Sequence, residues 1–60
     1  MSNDRYLSVR DVAQRYGVSV ATIWRWTAAN IFPQPVKLNF STRWRMKDLL
    51  DWEVEQAKTG

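Results

Sequence analysis

Between Ser19 and Arg25 the chain reads SVATIWR, small and hydroxyl-bearing residues around one tryptophan and one guanidinium. These types suit a surface that must lie close to a nucleic-acid duplex. Ala21 lets a backbone approach, Ser19 and Thr22 can donate and accept, and Arg25 carries a planar fork able to bond two acceptors on one guanine. The same fork serves equally well on a phosphate or in water. Trp24 is the odd member, because a large ring on the face opposite a core costs solubility unless something covers it. Two covers are open to it: a sugar-phosphate backbone, with the indole N–H donating to a phosphate, or the underside of a hairpin further along the chain.

A second group follows at Lys37, Asn39, Ser41, Thr42, Arg43 and Arg45. Asn39, Ser41, Thr42 and Arg43 fall at or beside the tip of a short hairpin, where an arginine suits the negative potential of a narrow minor groove. Any hairpin tip is also polar because it is solvated. Lys37, Arg45 and Lys47 are phosphate candidates of low specificity.

The net charge of +3 is modest, but its distribution is informative. No Asp or Glu occurs from Val12 to Lys47, whereas Arg15, Arg25, Lys37, Arg43, Arg45 and Lys47 all fall there. The acids lie outside, at Asp4 and Asp11 before and at Asp48, Asp51, Glu53 and Glu55 after. Such segregation predicts a positive face beside a neutral-to-acidic flank.

Other chemistries are poorly supplied. The absence of Cys removes disulfides and cysteine-based zinc sites, and the absence of His removes the usual proton shuttle and the commonest metal ligand. There is no glycine-rich phosphate loop, and the acids near the C-terminus follow a solvated-face spacing instead of converging on a nucleophile. The reading is a non-enzyme without cofactor or metal. MSNDRYLS holds no apolar run that could act as a signal peptide, and nothing approaches the roughly 20 apolar residues of a membrane span. A soluble cytoplasmic protein, associated with the nucleoid and not with a membrane, is expected.

The elements that must position these groups form one small domain over residues 1–60. A chain of this size buries only about 60% of its unfolded surface, so four Trp, two Tyr and two Phe must supply a dense core. Ser8 followed by Asp11 reads as a capping box that starts a helix over Val9–Tyr16. Gly17 can take the left-handed conformation that closes that helix, and Val18 can pack back. Ser19 is an N-cap for a second helix to about Ala29, with Asn30 and Ile31 as its stop before Pro33. Helical spacing sets Ile23, Trp26, Thr27 and Asn30 on one side and Ala21, Trp24, Arg25 and Ala28 on the other. Helix, turn and helix over Val9–Trp26 have the spacing of a helix-turn-helix.

Pro33 and Pro35 then force an extended path. Val36–Leu38 and Arg43–Arg45 read as two strands joined by Asn39, Phe40, Ser41 and Thr42, a small wing whose turn lacks Asn-Gly or Asp-Gly. From about Met46 a third helix is marked by Met46, Leu49, Leu50, Val54 and Ala57 with Trp52 on its flank. Asp48 and Lys58 suit its two ends, and Thr59 and Gly60 are expected to fray. Trp26, Trp44 and Trp52 are read as core. The fold class is mainly α with a small β-hairpin, a winged helix-turn-helix.

Thr22-Ile23-Trp24-Arg25-Trp26, then Ile31-Phe32-Pro33-Gln34-Pro35-Val36-Lys37, then Arg43-Trp44-Arg45 with Asp48-Leu49 and Trp52, resembles the AlpA family of short phage and prophage regulators. Ile31 to Lys37 is also similar to lambda-type phage excisionases. The likeness runs from about Leu7 to Glu55. It implies a winged helix related to the MerR DNA-binding domain, the second helix in the major groove of double-stranded DNA and the wing in the adjacent minor groove. On the matching positions, Ser19, Thr22, Trp24 and Arg25 would be the helix contacts and Arg43 the wing contact.

Members of these families bind and bend DNA near attachment sites or integrase promoters. The resemblance therefore implies an excisionase that directs a tyrosine integrase toward excision, with several copies associating on adjacent repeats. An AlpA-like transcriptional regulator of integrase or prophage genes is the alternative, and a protein-interaction module that kept the fold and lost the DNA is a third reading. AlpA-like wings carry glycine after the Lys-Leu pair, where this chain has Asn39 and Phe40. Lambda-type excisionases continue into a basic tail that contacts integrase, whereas this sequence stops soon after its last helix.

Overall fold

The computed structural model describes residues 5–58. Asp4 and the fraying expected at Thr59 and Gly60 lie outside those residues. Along the chain run β1 (Tyr6–Leu7), α1 (Val9–Tyr16), α2 (Val20–Ala28), β2 (Val36–Leu38), β3 (Ser41–Arg45) and α3 (Met46–Lys58).

Local chemistry sets the helix ends. Ser8 is extended and its hydroxyl accepts from the Asp11 amide, so the serine half of the expected capping box is formed. Gly17 adopts φ 67°, ψ 34°, and the Val18 and Gly17 amides donate to the carbonyls of Ala13 and Gln14. These are the two crossed bonds of a Schellman turn, which needs a left-handed residue at that position. The second helix begins in the same manner as the first, with the Ser19 hydroxyl accepting from the Thr22 amide at 3.1 Å. It also ends as the first does. Asn30, at φ 62°, takes the place of the glycine, and the Ile31 and Asn30 amides donate to the carbonyls of Trp26 and Thr27.

The three strands form one antiparallel sheet in the order β1-β3-β2. β1 was not anticipated. It is only two residues long, pairing Tyr6 with Arg45 and Leu7 with Trp44, and the Met46 amide donating to the Arg5 carbonyl extends the stitch by one bond. The wing also differs from expectation. Val36 pairs with Arg43, Lys37 with Thr42 and Leu38 with Ser41, so β3 starts two residues early and the four-residue connection becomes a two-residue turn at Asn39 and Phe40. Asn39 makes this possible at φ 58°, because the tight hairpin turns place their first central residue at positive φ and asparagine tolerates it.

The core is Leu7, Val12, Ala13, Ile23, Phe32, Trp44 and Leu49. Trp44 is fully buried and its indole N–H donates to the Pro33 carbonyl at 2.8 Å. Trp26 and Trp52 were expected in the core, but both are half-buried. They flank Phe32, whose ring centroid lies 4.9 Å from that of Trp52 and 5.7 Å from that of Trp26. Trp52 also donates to the Ile31 carbonyl at 3.0 Å. Two indoles thus hold the irregular Ile31–Pro33 segment, whose carbonyls have no ladder to enter. The buried Thr27 hydroxyl is satisfied by the Ile23 carbonyl at 2.8 Å.

The third helix presents a different stripe from the one expected. Leu49 is fully buried with Met46 and Trp52 packed beside it, whereas Leu50, Val54 and Ala57 are exposed. The covered face instead includes Glu53, which accepts from the Tyr16 hydroxyl at 2.6 Å and from Arg15 Nε at 2.8 Å. This cluster braces α3 against the end of α1. It holds the Glu53 carboxyl below the usual carboxylate range, chiefly through Arg15 and then Tyr16. Burial first, and the bond to Glu53 second, push the Tyr16 phenol up to about 12. The Arg15 guanidinium is raised in turn, mainly by its bond to Glu53.

Candidate nucleic-acid interface

The Schellman turn at Gly17 redirects the chain so that α2 crosses α1 with Ile23 and Thr27 buried beneath it. The opposite side is left open. Ala21, Trp24, Arg25 and Ala28 are all exposed there, as the helical spacing predicts.

On that side three side chains form a relay. The Ser19 hydroxyl lies 3.0 Å from the Thr22 hydroxyl, and Arg25 Nη2 donates to the same Thr22 oxygen at 3.1 Å. The relay runs up the first turn and a half of α2 and holds the guanidinium over the helix N-terminal half. Side chains fixed in this way lose less freedom on meeting a partner, which favours specific over adaptable contacts. Arg25 has four guanidinium N–H bonds left over after the one to Thr22, enough for a bidentate contact.

Of the two covers open to Trp24, the hairpin supplies one in part. Its ring sits 5.3 Å from that of the buried Trp44, tilted at 54°, so the hairpin does support it. It nevertheless remains 42% exposed on the same side as Arg25. One face of the indole is packed, and the rest is available.

Register and strand alternation divide the wing residues between two faces. Lys37 and Thr42 share the face of Trp44, toward Trp24 and α2, whereas Ser41, Arg43 and Arg45 occupy the reverse face. Arg43, expected at or beside the tip, stands inside the ladder opposite Val36 and is half-buried, with Nη1 donating to the Thr42 carbonyl at 2.9 Å. Asn39 is exposed at the turn. Beside it stands a residue that the sequence reading left out of the site. Phe40 is completely exposed, at 101% of its reference area. A tip composed of Asn and an aromatic where turn residues are usually small and polar was the available signal.

The acid-free span is sorted by ion pairing. Arg15 is bound to Glu53, Arg45 to Asp48 at 3.2 Å and Lys47 to Asp51 at 3.4 Å. Arg25, Lys37 and Arg43 pair with no carboxylate among the described residues. Within that span, among the described residues, the cations that keep their charge uncompensated are therefore one on α2 and two on the wing, one on each of the wing's faces. Such an uncompensated set of cations attracts a polyanion.

Among the described residues no cluster of three or more His, Cys, Asp or Glu could hold a metal ion, and no helix is long and apolar enough to cross a membrane. A family model described as a helix-turn-helix domain matches residues 6–56. No curated protein and no solved structure gives a match.

Proposed function

Because the chain belongs to the helix-turn-helix domain family, and is thus a small DNA-binding protein, we propose that α2 reads base edges in the major groove while the wing enters the adjacent minor groove. The observation that carries this reading is the relay Ser19–Thr22–Arg25 on the helix face turned away from the core, with Lys37, unpaired among the described residues, on the wing face turned toward α2. Arg25 is the base reader. Ser19, Thr22 and Trp24 set its position against the backbone, Ala21 permits close approach, and Lys37, Asn39, Ser41, Thr42 and Arg43 serve the wing. Arg45 contributes at the hairpin base, where it first answers to Asp48.

The biological setting proposed is excision of an integrated element. The resemblance to AlpA regulators and lambda-type excisionases supports it: the protein binds and bends attachment-site DNA so that a tyrosine integrase acts in the excisive direction. A single module of this type buries roughly 600 to 1,000 Å² of its surface on DNA. Several copies side by side, or integrase as a partner, supply the affinity that one copy lacks. Bending a short duplex sharply costs on the order of 1–6 kcal/mol, which those added contacts must offset.

The test is a mobility-shift titration across an attachment region at two salt concentrations, with integrative and excisive recombination assayed alongside. Engaged phosphates make affinity fall with salt, with a logarithmic slope of about 0.9 per phosphate neutralised. A rise in excisive product on adding the protein supports the directionality role. A footprint over a promoter with recombination unchanged assigns the protein to transcriptional control instead. Duplex binding too weak to measure at low salt would overturn the DNA reading and leave a protein-interaction module.

A further inference from the structure

Among the described residues Phe40 is the most exposed large apolar side chain, and the fold makes no use of it. It stands on the two-residue turn between Leu38 and Ser41, where the reversal is made by Asn39 at positive φ and the register by the β2–β3 ladder. A bare aromatic ring at such a point is a liability in water unless it meets a partner. The surrounding charge limits what that partner can be. No carboxylate occurs anywhere on the hairpin, and Lys37 and Arg43, on its two faces, have no acidic partner among the described residues. The occupant is therefore anionic on the outside and apolar within, reached through an opening narrow enough for one ring. A DNA duplex meets all three conditions, since its stacked bases lie behind two rails of phosphate.

We infer that Phe40 is a wedge, inserted from the minor groove between two stacked base pairs, so that the wing kinks the duplex as well as touching it. The dimensions agree. Hairpin strands lie about 4.8 Å apart from backbone to backbone, and the side chains on both edges widen the ribbon beyond the roughly 6 Å of the minor groove, so only the tip reaches the floor, and the tip carries the ring. Lys37 and Arg43, projecting to opposite sides, then meet the two phosphate rails. Pyrimidine–purine steps unstack most easily and are where the ring enters. The step opens on the minor-groove side and the duplex bends toward the major groove, which gives a chain too small to wrap DNA a local means of bending it. This inference rests on the duplex reading given above, and the experiment separates the two.

Wild-type protein, Phe40→Ala and Phe40→Trp are titrated at low salt onto a perfect duplex and onto the same duplex with two adjacent mismatches placed in turn at each pyrimidine–purine step. 2-Aminopurine beside the step reports unstacking. The wild-type protein should prefer the duplex with the mismatched step by roughly tenfold, because part of the unstacking is already done, and should brighten 2-aminopurine in the perfect duplex. Phe40→Ala should lose both effects while still binding the perfect duplex, and Phe40→Trp should retain them. Melting temperatures should be unchanged, because the ring touches nothing. Wild-type binding without preference or brightening, or Phe40→Ala behaving as wild type, overturns the wedge and leaves DNA binding intact. Failure of the wild type to bind any duplex overturns both readings. Binding to phosphatidylserine vesicles that depends on Phe40, with no brightening on duplex, reassigns the ring to a lipid surface and overturns the wedge.

Discussion

Replacing Gly17 with alanine should lower the stability of the fold by about 1 kcal/mol, with no loss of DNA affinity per folded molecule. The backbone there is held at φ 67°, ψ 34° by two crossed hydrogen bonds, to the carbonyls of Ala13 and Gln14, so it cannot relax without opening the turn between α1 and α2. An added methyl group would meet nothing, since no heavy atom lies within 4 Å of the position a Cβ would take. Collision with neighbours is thereby excluded, and the effect reduces to two opposing backbone contributions. A left-handed conformation costs an L-residue about 1–2 kcal/mol. Loss of the glycine's freedom in the unfolded chain returns roughly 0.4–1 kcal/mol. The difference, for a domain of this size, corresponds to a drop of about 4–8 °C in Tm. Gly17→Val should fall further, because β-branching stiffens the side chain, and Gly17→Asn should be nearly neutral, since this chain already uses asparagine at φ 62° and 58°. Thermal and urea unfolding followed by circular dichroism measure these differences, and a titration of duplex DNA well below the melting range measures affinity. An alanine variant that melts at or above the wild-type temperature would refute the assignment of strain to this residue. An alanine variant of normal stability but weakened DNA binding would show that the turn acts on the interface directly.

Arg25→Ala should reduce discrimination between the preferred site and random duplex by about 1–3 kcal/mol, whereas Lys37→Ala should weaken all duplexes alike and reduce the salt slope by about one phosphate. Equal losses on both DNAs for Arg25→Ala would count against base reading. Glu53→Gln should cost less than about 1 kcal/mol at neutral pH, because both partners in the Arg15–Glu53 bridge are a third exposed and water screens it. Glu53 titrates lower in the folded chain than unfolded, so its contribution is complete above the ordinary carboxylate pKa of about 4.3 and is lost as pH falls through the folded value. Tyr16 shows the opposite sign: its contribution is complete below about pH 10 and fades as pH rises toward about 12. Urea unfolding of wild type and variant at acid, neutral and alkaline pH checks both, and parallel curves throughout would refute the coupling. Trp44→Phe should destabilise the fold by about 2 kcal/mol or more in chemical denaturation, since it leaves a void and deprives the Pro33 carbonyl of its 2.8 Å partner.

The parts legible in the sequence were those governed by nearest neighbours. Ser8, Gly17, Ser19 and Asn30 act through bonds reaching three to five residues along the chain, and their side chains or missing side chains announce them. The parts that were misread depend on what lies across the molecule. α3 carries two overlapping apolar stripes, and only the presence of Phe32, Tyr16 and Arg15 opposite determines that Leu49, Trp52 and Glu53 turn inward instead of Leu50 and Val54. β1 is too short for alternation to register and exists because β3 offers it an edge. Within the candidate site, Arg25 and Trp24 could be placed from helical phase alone. The hydroxyl relay could not, because it depends on how three side chains on α2 turn toward one another. The ladder position of Arg43 opposite Val36 and the bare exposure of Phe40 could not either, because both follow from a hairpin turn of two residues where four are expected.

The ring contact between Trp24 and Trp44 ties the exposed face of α2 to the hairpin. A change of residue at position 24 thus alters the surface presented by α2 and, in the same step, the angle at which the wing leaves the core. Grafting a foreign recognition helix onto this scaffold would carry across its letters without their spacing, and screens for altered specificity should randomise both rings together.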